Sequence, residues 1–164
     1  MKAVQFSGHG DRSVIEYGEY LDPEVGPGEV RLRVEAAALN HLDIWTRRGL
    51  PGIDLDFPHI PGSDAVGTVA EVGDRVTRFE PGDRAAVSAG VHCGDCEFCR
   101  AGDPTLCVDF HLLGEHVRGV HAEAPVVPED NLVPVPDDVP AEVAAAAPLV
   151  FQTAWRMLVT RAAL

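Results

Sequence analysis

Residues Gly26-Pro27-Gly28-Glu29-Val30-Arg31-Leu32-Arg33-Val34-Glu35-Ala36-Ala37-Ala38 carry the clearest structural signal in this chain. A Gly-Pro-Gly turn leads into apolar Val30, Leu32 and Val34, which alternate with Arg31, Arg33 and Glu35. That period of two belongs to a strand with one buried face. On either side, 13 prolines and 16 glycines among 164 residues cut the chain into short pieces. Further strand-like segments lie at Ala3–Phe6, Ser13–Tyr17, Ala65–Val72, Ala85–Ser88 and Ala124–Val127. Helix is expected at His41–Arg48, between the candidate caps Asn40 and Gly49, and again at Ala141–Ala147 and Thr153–Leu164. The pattern predicts a mainly β fold, a barrel-like body with few and short helices.

The chain has four cysteines, Cys93, Cys96, Cys99 and Cys107, spaced C-x2-C-x2-C-x7-C. Two-residue gaps let the chain curl until successive sulfurs converge, and Gly94 removes a Cβ where the first knuckle is tightest. Gly102 and Pro104 then turn the chain back so that Cys107 closes the set. Four sulfur ligands leave no open coordination position, so the expectation is one structural zinc per chain. An iron–sulfur cluster and a pair of disulfides are the rival readings.

Acidic residues outnumber basic ones 26 to 13, a net charge of −13, and Lys2 is the only lysine. Such a field repels phosphate backbones and anionic lipid, so neither nucleic acid nor a membrane surface is expected as a partner. Dense carboxylates with arginine in place of lysine are similar to halophilic compositions; an acidic, arginine-preferring proteome has the same appearance. No apolar run approaches the ~20 residues of a membrane span. Met1-Lys2-Ala3-Val4 enters a strand-like segment without a signal-peptide core, and a cytoplasmic location is expected.

The order of motifs is distinctive. Asn40-His41-Leu42-Asp43 opens a short helix, and Pro61-Gly62-Ser63-Asp64-Ala65-Val66-Gly67 leads into Val69-Ala70-Glu71-Val72-Gly73. Pro81-Gly82-Asp83-Arg84 precedes the cysteines, Leu113-Gly114-Glu115-His116 follows them, and Pro148-Leu149 with Thr153-Ala154-Trp155 completes the series. Together these resemble the N-terminal, GroES-like catalytic domain of the medium-chain dehydrogenase/reductase superfamily, the zinc alcohol dehydrogenases and quinone oxidoreductases. The resemblance implies a GroES-like, partly open β-barrel over residues 1–150 with a zinc lobe at 90–110. Residues 151–164 would begin the helix that leads to a nucleotide-binding domain. It further implies NAD(P)H as the cofactor of the full-length protein, a small-molecule carbonyl, enone or quinone substrate, and a homo-oligomer. No G-x-G-x-x-G occurs; Gly8-His9-Gly10 meets Ser13 where a third glycine is needed. The last helical run reaches Leu164 with no stop signal, so the chain reads as a catalytic domain without its Rossmann domain, unable to hold the dinucleotide alone.

In the zinc alcohol dehydrogenases a second, catalytic metal is bound by a cysteine and a histidine. The resemblance puts Asn40 and Ser63 in those places, and only apolar side chains around Pro148–Phe151, where the third ligand falls. Leu42 and Trp45 stand where the proton relay belongs, and neither carries a proton at neutral pH. An Asn-x-x-Asp start resembles the zinc-independent quinone and enone reductases. The expected catalytic residues are therefore Asn40, Asp43, Ser63 and Asp64, with Asn40 and Thr153 at the cofactor. His41, His59, His111, His116 and His121 read as ordinary hydrogen-bonded or surface histidines, and Trp45 as core packing on its helix ahead of the alternative, the lining of a pocket for a flat apolar ligand. A zinc alcohol dehydrogenase with displaced ligands and a non-enzymatic GroES-like module are the competing functions.

Overall fold

The computed structural model describes all 164 residues. The alternating stretch forms β3 (Glu29–Ala38), with Val30 and Leu32 fully buried and Arg33 and Glu35 on the outside. It pairs antiparallel with β4 (Asp64–Val72) on one side and β8 (Val126–Pro128) on the other. β4 pairs with β5 (Arg84–Val87) and β5 with β9 (Leu132–Pro134), so the five-stranded sheet runs β8-β3-β4-β5-β9. Its two edge strands are separated in sequence only by the 3-10 turn Glu129–Asn131. That link reaches at most about 14 Å, whereas the edges of a flat sheet of this size stand about 19 Å apart. The sheet has to curl, and the predicted partly open barrel is the result. Asn131 pins the seam, its Nδ2 donating to the carbonyls of Ser88 at 2.6 Å and Gly90 at 2.8 Å.

Val30, Leu32, Val69, Phe79, Val87 and Leu132 belong to one apolar cluster inside the curl. On the outer face Val66 and Ala86 pack against Ala144 and Ala145 of α3 (Ala141–Ala146), where small side chains let the helix lie close to the sheet. Gly67 marks a close crossing of β3 and β4: a Cβ there would stand 2.3 Å from the carbonyl oxygen of Arg33. The register of the pair shifts between Val34 and Ala36, beside that crossing.

The other elements hang from this body. β1 (Lys2–Gln5) and β2 (Glu16–Glu19) form a separate hairpin, and α1 (His41–Arg48) occupies the predicted range. The cysteine lobe is tied by β6 (Gly90–Val91) to β7 (His111–Leu112) and contains the short α2 (Glu97–Arg100). α4 (Pro148–Trp155) runs on into a π-helical stretch, Arg156–Arg161. No helix is long and apolar enough to cross a membrane.

Two local expectations are corrected. The strand expected at Ser13–Tyr17 begins at Glu16, because Arg12–Val14 is a 3-10 turn whose start is capped by Asp11, accepting the Ser13 N–H at 2.8 Å. The helix expected from Thr153 starts at Pro148, where a proline costs no hydrogen bond and the Leu149 N–H is capped by Asp64 at 3.0 Å. Thr153 is therefore inside α4 rather than at its N-terminus, its hydroxyl donating to the Leu149 carbonyl at 2.7 Å. β9 went unpredicted, since three residues are too few to show a period.

Candidate functional site

Two places carry chemistry. The first is the cysteine lobe, whose four sulfurs all lie within 4.8 Å of one another. Cys93 and Cys107 are 3.5 Å apart, Cys96 and Cys99 3.5 Å, and Cys93 and Cys99 4.0 Å. A tetrahedron of 2.3 Å metal–sulfur bonds sets its sulfurs about 3.8 Å apart, so the donor set fits a zinc-sized ion. Gly94 turns the knuckle with φ of +74°. The N–H groups of Asp95 and Cys96 then donate to the Cys93 sulfur at 3.5 and 3.3 Å, and that of Asp109 to Cys107 at 3.3 Å. These donors favour thiolate. Backbone N–H groups hold Cys93 below the usual thiol range and bring Cys96 down to about 6, while burial and the neighbouring Cys96 push Cys99 up to about 12. Sulfurs this close cannot all ionise alone, and a divalent cation removes the conflict.

The second place is a cleft of about 470 Å³ between α1 and α4. Leu42, Trp45, Leu149, Val150 and Met157 make its apolar walls, and Asn40, His41 and Thr153 its polar lining. Behind it, two carboxylates organise the backbone. Asp43 accepts the Asn40 N–H at 2.7 Å and the Gly62 N–H at 3.1 Å. Asp64, 1% exposed, accepts the Asn40 Nδ2–H at 2.8 Å on one oxygen and the Leu149 N–H at 3.0 Å on the other. One carboxylate thus joins the start of β4 to the N-termini of α1 and α4. Burial pushes the Asp64 carboxyl up and the Asn40 and Leu149 donors pull it down, while nearby Asp43 adds to the rise and His121 opposes it.

Asn40 also closes a capping box at the start of α1, its side chain accepting the Asp43 N–H while Asp43 accepts that of Asn40. Thr46 Oγ1 is the one buried side-chain polar atom left unpaired. The Thr153 hydroxyl, its proton spent on Leu149, offers the cleft only lone pairs. His41 is the exception. Its ring is exposed, packs 4.9 Å from that of Trp45 and makes no side-chain hydrogen bond, which leaves it free to donate.

The structure thus brings Asn40, Asp43, Asp64 and Thr153 together and leaves Ser63 out. Ser63 is fully buried and its hydroxyl donates to the Leu113 carbonyl at 2.8 Å, facing away from the cleft. Trp45, expected in the core, is 49% exposed and lines the cleft, because α1 turns Thr46 and Arg47 inward instead. The histidines form no converging ligand set, although the His111 and His116 rings stack 5.7 Å apart. His59 is buried with a nitrogen 3.2 Å from the Gly114 carbonyl, His121 bonds the Ala38 carbonyl at 3.3 Å, and His116 accepts the Leu112 N–H at 3.1 Å. The cysteines are the one set of three or more ligating groups that converges. Sequence reasoning missed His41 as a cleft donor and the Asn40–Asp64 pair. The first was visible as a histidine beside Asn40; the second has no local signal.

The profile of the family described as Alcohol dehydrogenase GroES-like domain matches residues 26–137. The chain belongs to that family. A solved NAD-dependent alcohol dehydrogenase is 46% identical, with a TM-score of 0.94, over 98% of this chain and 47% of that one. A thermostable alcohol dehydrogenase from Pyrobaculum aerophilum, solved with cobalt and zinc bound, is 34% identical with a TM-score of 0.89, over 98% and 48% of the two chains. Among curated relatives, the L-threonine 3-dehydrogenase of Rhizobium rhizogenes is 36% identical over 145 residues, 82% of this chain and 41% of that one. The chain therefore spans less than half the length of these members of the family.

Proposed function

We propose that this chain is the substrate-binding half of an NAD(P)H-dependent oxidoreductase acting on a quinone or enone, with a structural zinc on Cys93, Cys96, Cys99 and Cys107 and no catalytic metal. The observation that carries this reading is the donor set at the two positions where zinc alcohol dehydrogenases of the family hold their metal. There the Asn40 amide is tied to Asp64 and the Ser63 hydroxyl is spent on Leu113. A neutral amide and a turned-away hydroxyl are poor zinc ligands beside thiolate and imidazole. Relatives named as dehydrogenases support the oxidoreductase class.

When bound, the nicotinamide supplies the hydride. The chain's own residues do the rest. Trp45 and the apolar walls of α1 and α4 take a flat ligand and exclude water from it. The free His41 imidazole donates to the ligand oxygen on which negative charge develops, the stabilisation that a metal gives elsewhere. The Thr153 oxygen receives a donor, such as a carboxamide N–H. No glycine-rich phosphate cradle is among these residues, so the dinucleotide would be held mainly outside residues 1–150. The apolar surface of α4, with Phe151 71% and Trp155 66% exposed, fits a helix leading to a further domain.

Alcohol oxidation in the same cleft is the second reading. The relatives named as alcohol and L-threonine 3-dehydrogenases favour it. The test is full-length protein with a quinone or enone and NAD(P)H, with and without a strong chelator. Chelator-resistant reduction is expected. Activity on simple alcohols that disappears on chelation, with the cysteine lobe still metallated, refutes the metal-free assignment.

A further inference from the structure

A second cavity, of about 340 Å³, lies beside the cleft, between the cysteine lobe and α4. The two share Leu149 and Thr153, but their linings differ. Apolar side chains wall the cleft, whereas Ser88, His92, Thr105, Gln152 and Arg156 face the cavity. Arg156 is the one residue from 150 to 164 that is not exposed. Its guanidinium turns back to the lobe and donates to Asp103 at 3.1 Å. That contact uses one N–H of the five a guanidinium carries in a planar fork, the geometry that matches a carboxylate. Ser88 accepts the Gln152 Nε2–H at 3.0 Å, and its own proton reaches Gln152 Oε1 only at 3.5 Å, so a closer ligand oxygen can take it.

We propose that this cavity is a carboxylate subsite in which Arg156 receives the anion, so that the substrate is an enone or quinone bearing an acidic group about one helical turn from the part seated in the cleft. The inference rests on the cleft being the site of the reduction proposed above. Leu149, Thr153 and Arg156 follow at intervals of four and three, one face of a helical segment, which sets Arg156 about 5–6 Å beyond Thr153. A ligand lying against Thr153 thus reaches the guanidinium with its next group. The chain as a whole carries a net charge of −13 and repels anions, but the carboxylates beside this cavity are already compensated. Asp130 pairs with Arg78 at 3.4 Å. Asp103 takes the Thr105 hydroxyl at 2.7 Å as well as Arg156, and the Thr105 hydroxyl, Arg156 and Arg161 hold its carboxyl below the ordinary range. An incoming carboxylate therefore meets unspent guanidinium N–H groups and the Ser88 hydroxyl rather than bare negative charge.

The experiment compares two enones of one shape, 4-(3-oxobut-1-enyl)benzoate and its primary amide, binding to full-length protein with oxidised nicotinamide cofactor. Calorimetry at pH 7 should show the acid about tenfold tighter, the worth of a charge-assisted hydrogen bond to a partly exposed guanidinium. Arg156→Gln should bring the ratio near one and leave the affinity for the amide unchanged. An amide that binds as tightly as the acid overturns the subsite. So does an Arg156→Gln protein that weakens both probes equally, since a purely structural role would leave the ratio alone. Should Arg156→Gln fail to fold, a crystal structure of the wild-type complex with the acid decides: a carboxylate on Arg156 supports the subsite, and one turned elsewhere overturns it. Failure of both probes to bind sinks the subsite together with the cleft. An acid preference without reduction of either enone by NAD(P)H refutes only the proposed function, and reduction without the preference refutes only the subsite.

Discussion

Removing the proposed zinc from the cysteine lobe, by chelation or by Cys96→Ser, should unfold residues 92–110 and leave the barrel standing. In that segment Cys107 alone is buried, so the lobe has almost no apolar core of its own. Its ties to the body are the two-residue pairing of β6 with β7 and the ion pair of Asp103 with Arg156 at 3.1 Å. Those two side chains are 38% and 31% exposed, and such a pair is worth about 0–1 kcal/mol. Ordering the backbone costs roughly 1 kcal/mol or more for each residue. A structural zinc contributes on the order of 10 kcal/mol to a small site, which nothing else in the lobe approaches. Losing even about 4 kcal/mol of it raises local opening roughly a thousandfold. Hydrogen exchange read by mass spectrometry on metallated, chelated and Cys96→Ser protein measures this directly. Peptides within 92–110 should lose protection while those covering β3 and β4 keep theirs. Unchanged lobe peptides after chelation, or four free thiols and no metal in protein purified without chelator, would refute the reasoning.

Leu32→Ala deletes a fully buried side chain from the barrel interior and should lower unfolding free energy by about 2–5 kcal/mol in urea titration. Trp45→Ala should weaken aromatic ligands about tenfold in calorimetry while barely moving Tm, because the ring is half-exposed at the cleft. Burial holds the His59 pKa below its ordinary 6.5, so the unfolded chain takes up that proton more readily than the folded one. His59 therefore costs no stability above about pH 6.5 and costs progressively more as pH falls through that value toward the folded pKa. Urea midpoints should decline between about pH 7 and 5.5, and His59→Gln should flatten the decline. Asn40→Cys should leave metal content at that of the cysteine lobe by atomic spectroscopy, because Ser63 faces Leu113 and supplies no second ligand.

Local signals were legible where the physics is local. The alternation of Val30, Leu32 and Val34 became the buried face of β3, Asn40 and Gly49 bracketed α1, and the cysteine spacing foretold the converging sulfurs. Each depends on a repeat or turn a few residues long, which any chain with those side chains tends to form. The site was legible only as a list of residues. That the Asn40 amide would meet Asp64, 24 positions on, and that Asp64 would also cap Leu149, 85 positions further, follows from the closure of the barrel. The same closure turned the Ser63 hydroxyl to Leu113 across 50 positions and put Trp45 at the cleft rather than in the core. Spacing and propensity state which groups are present and how the backbone runs near them. Partner choice and the direction of an amide depend on which surfaces the curled sheet brings together, and that is a property of the folded chain.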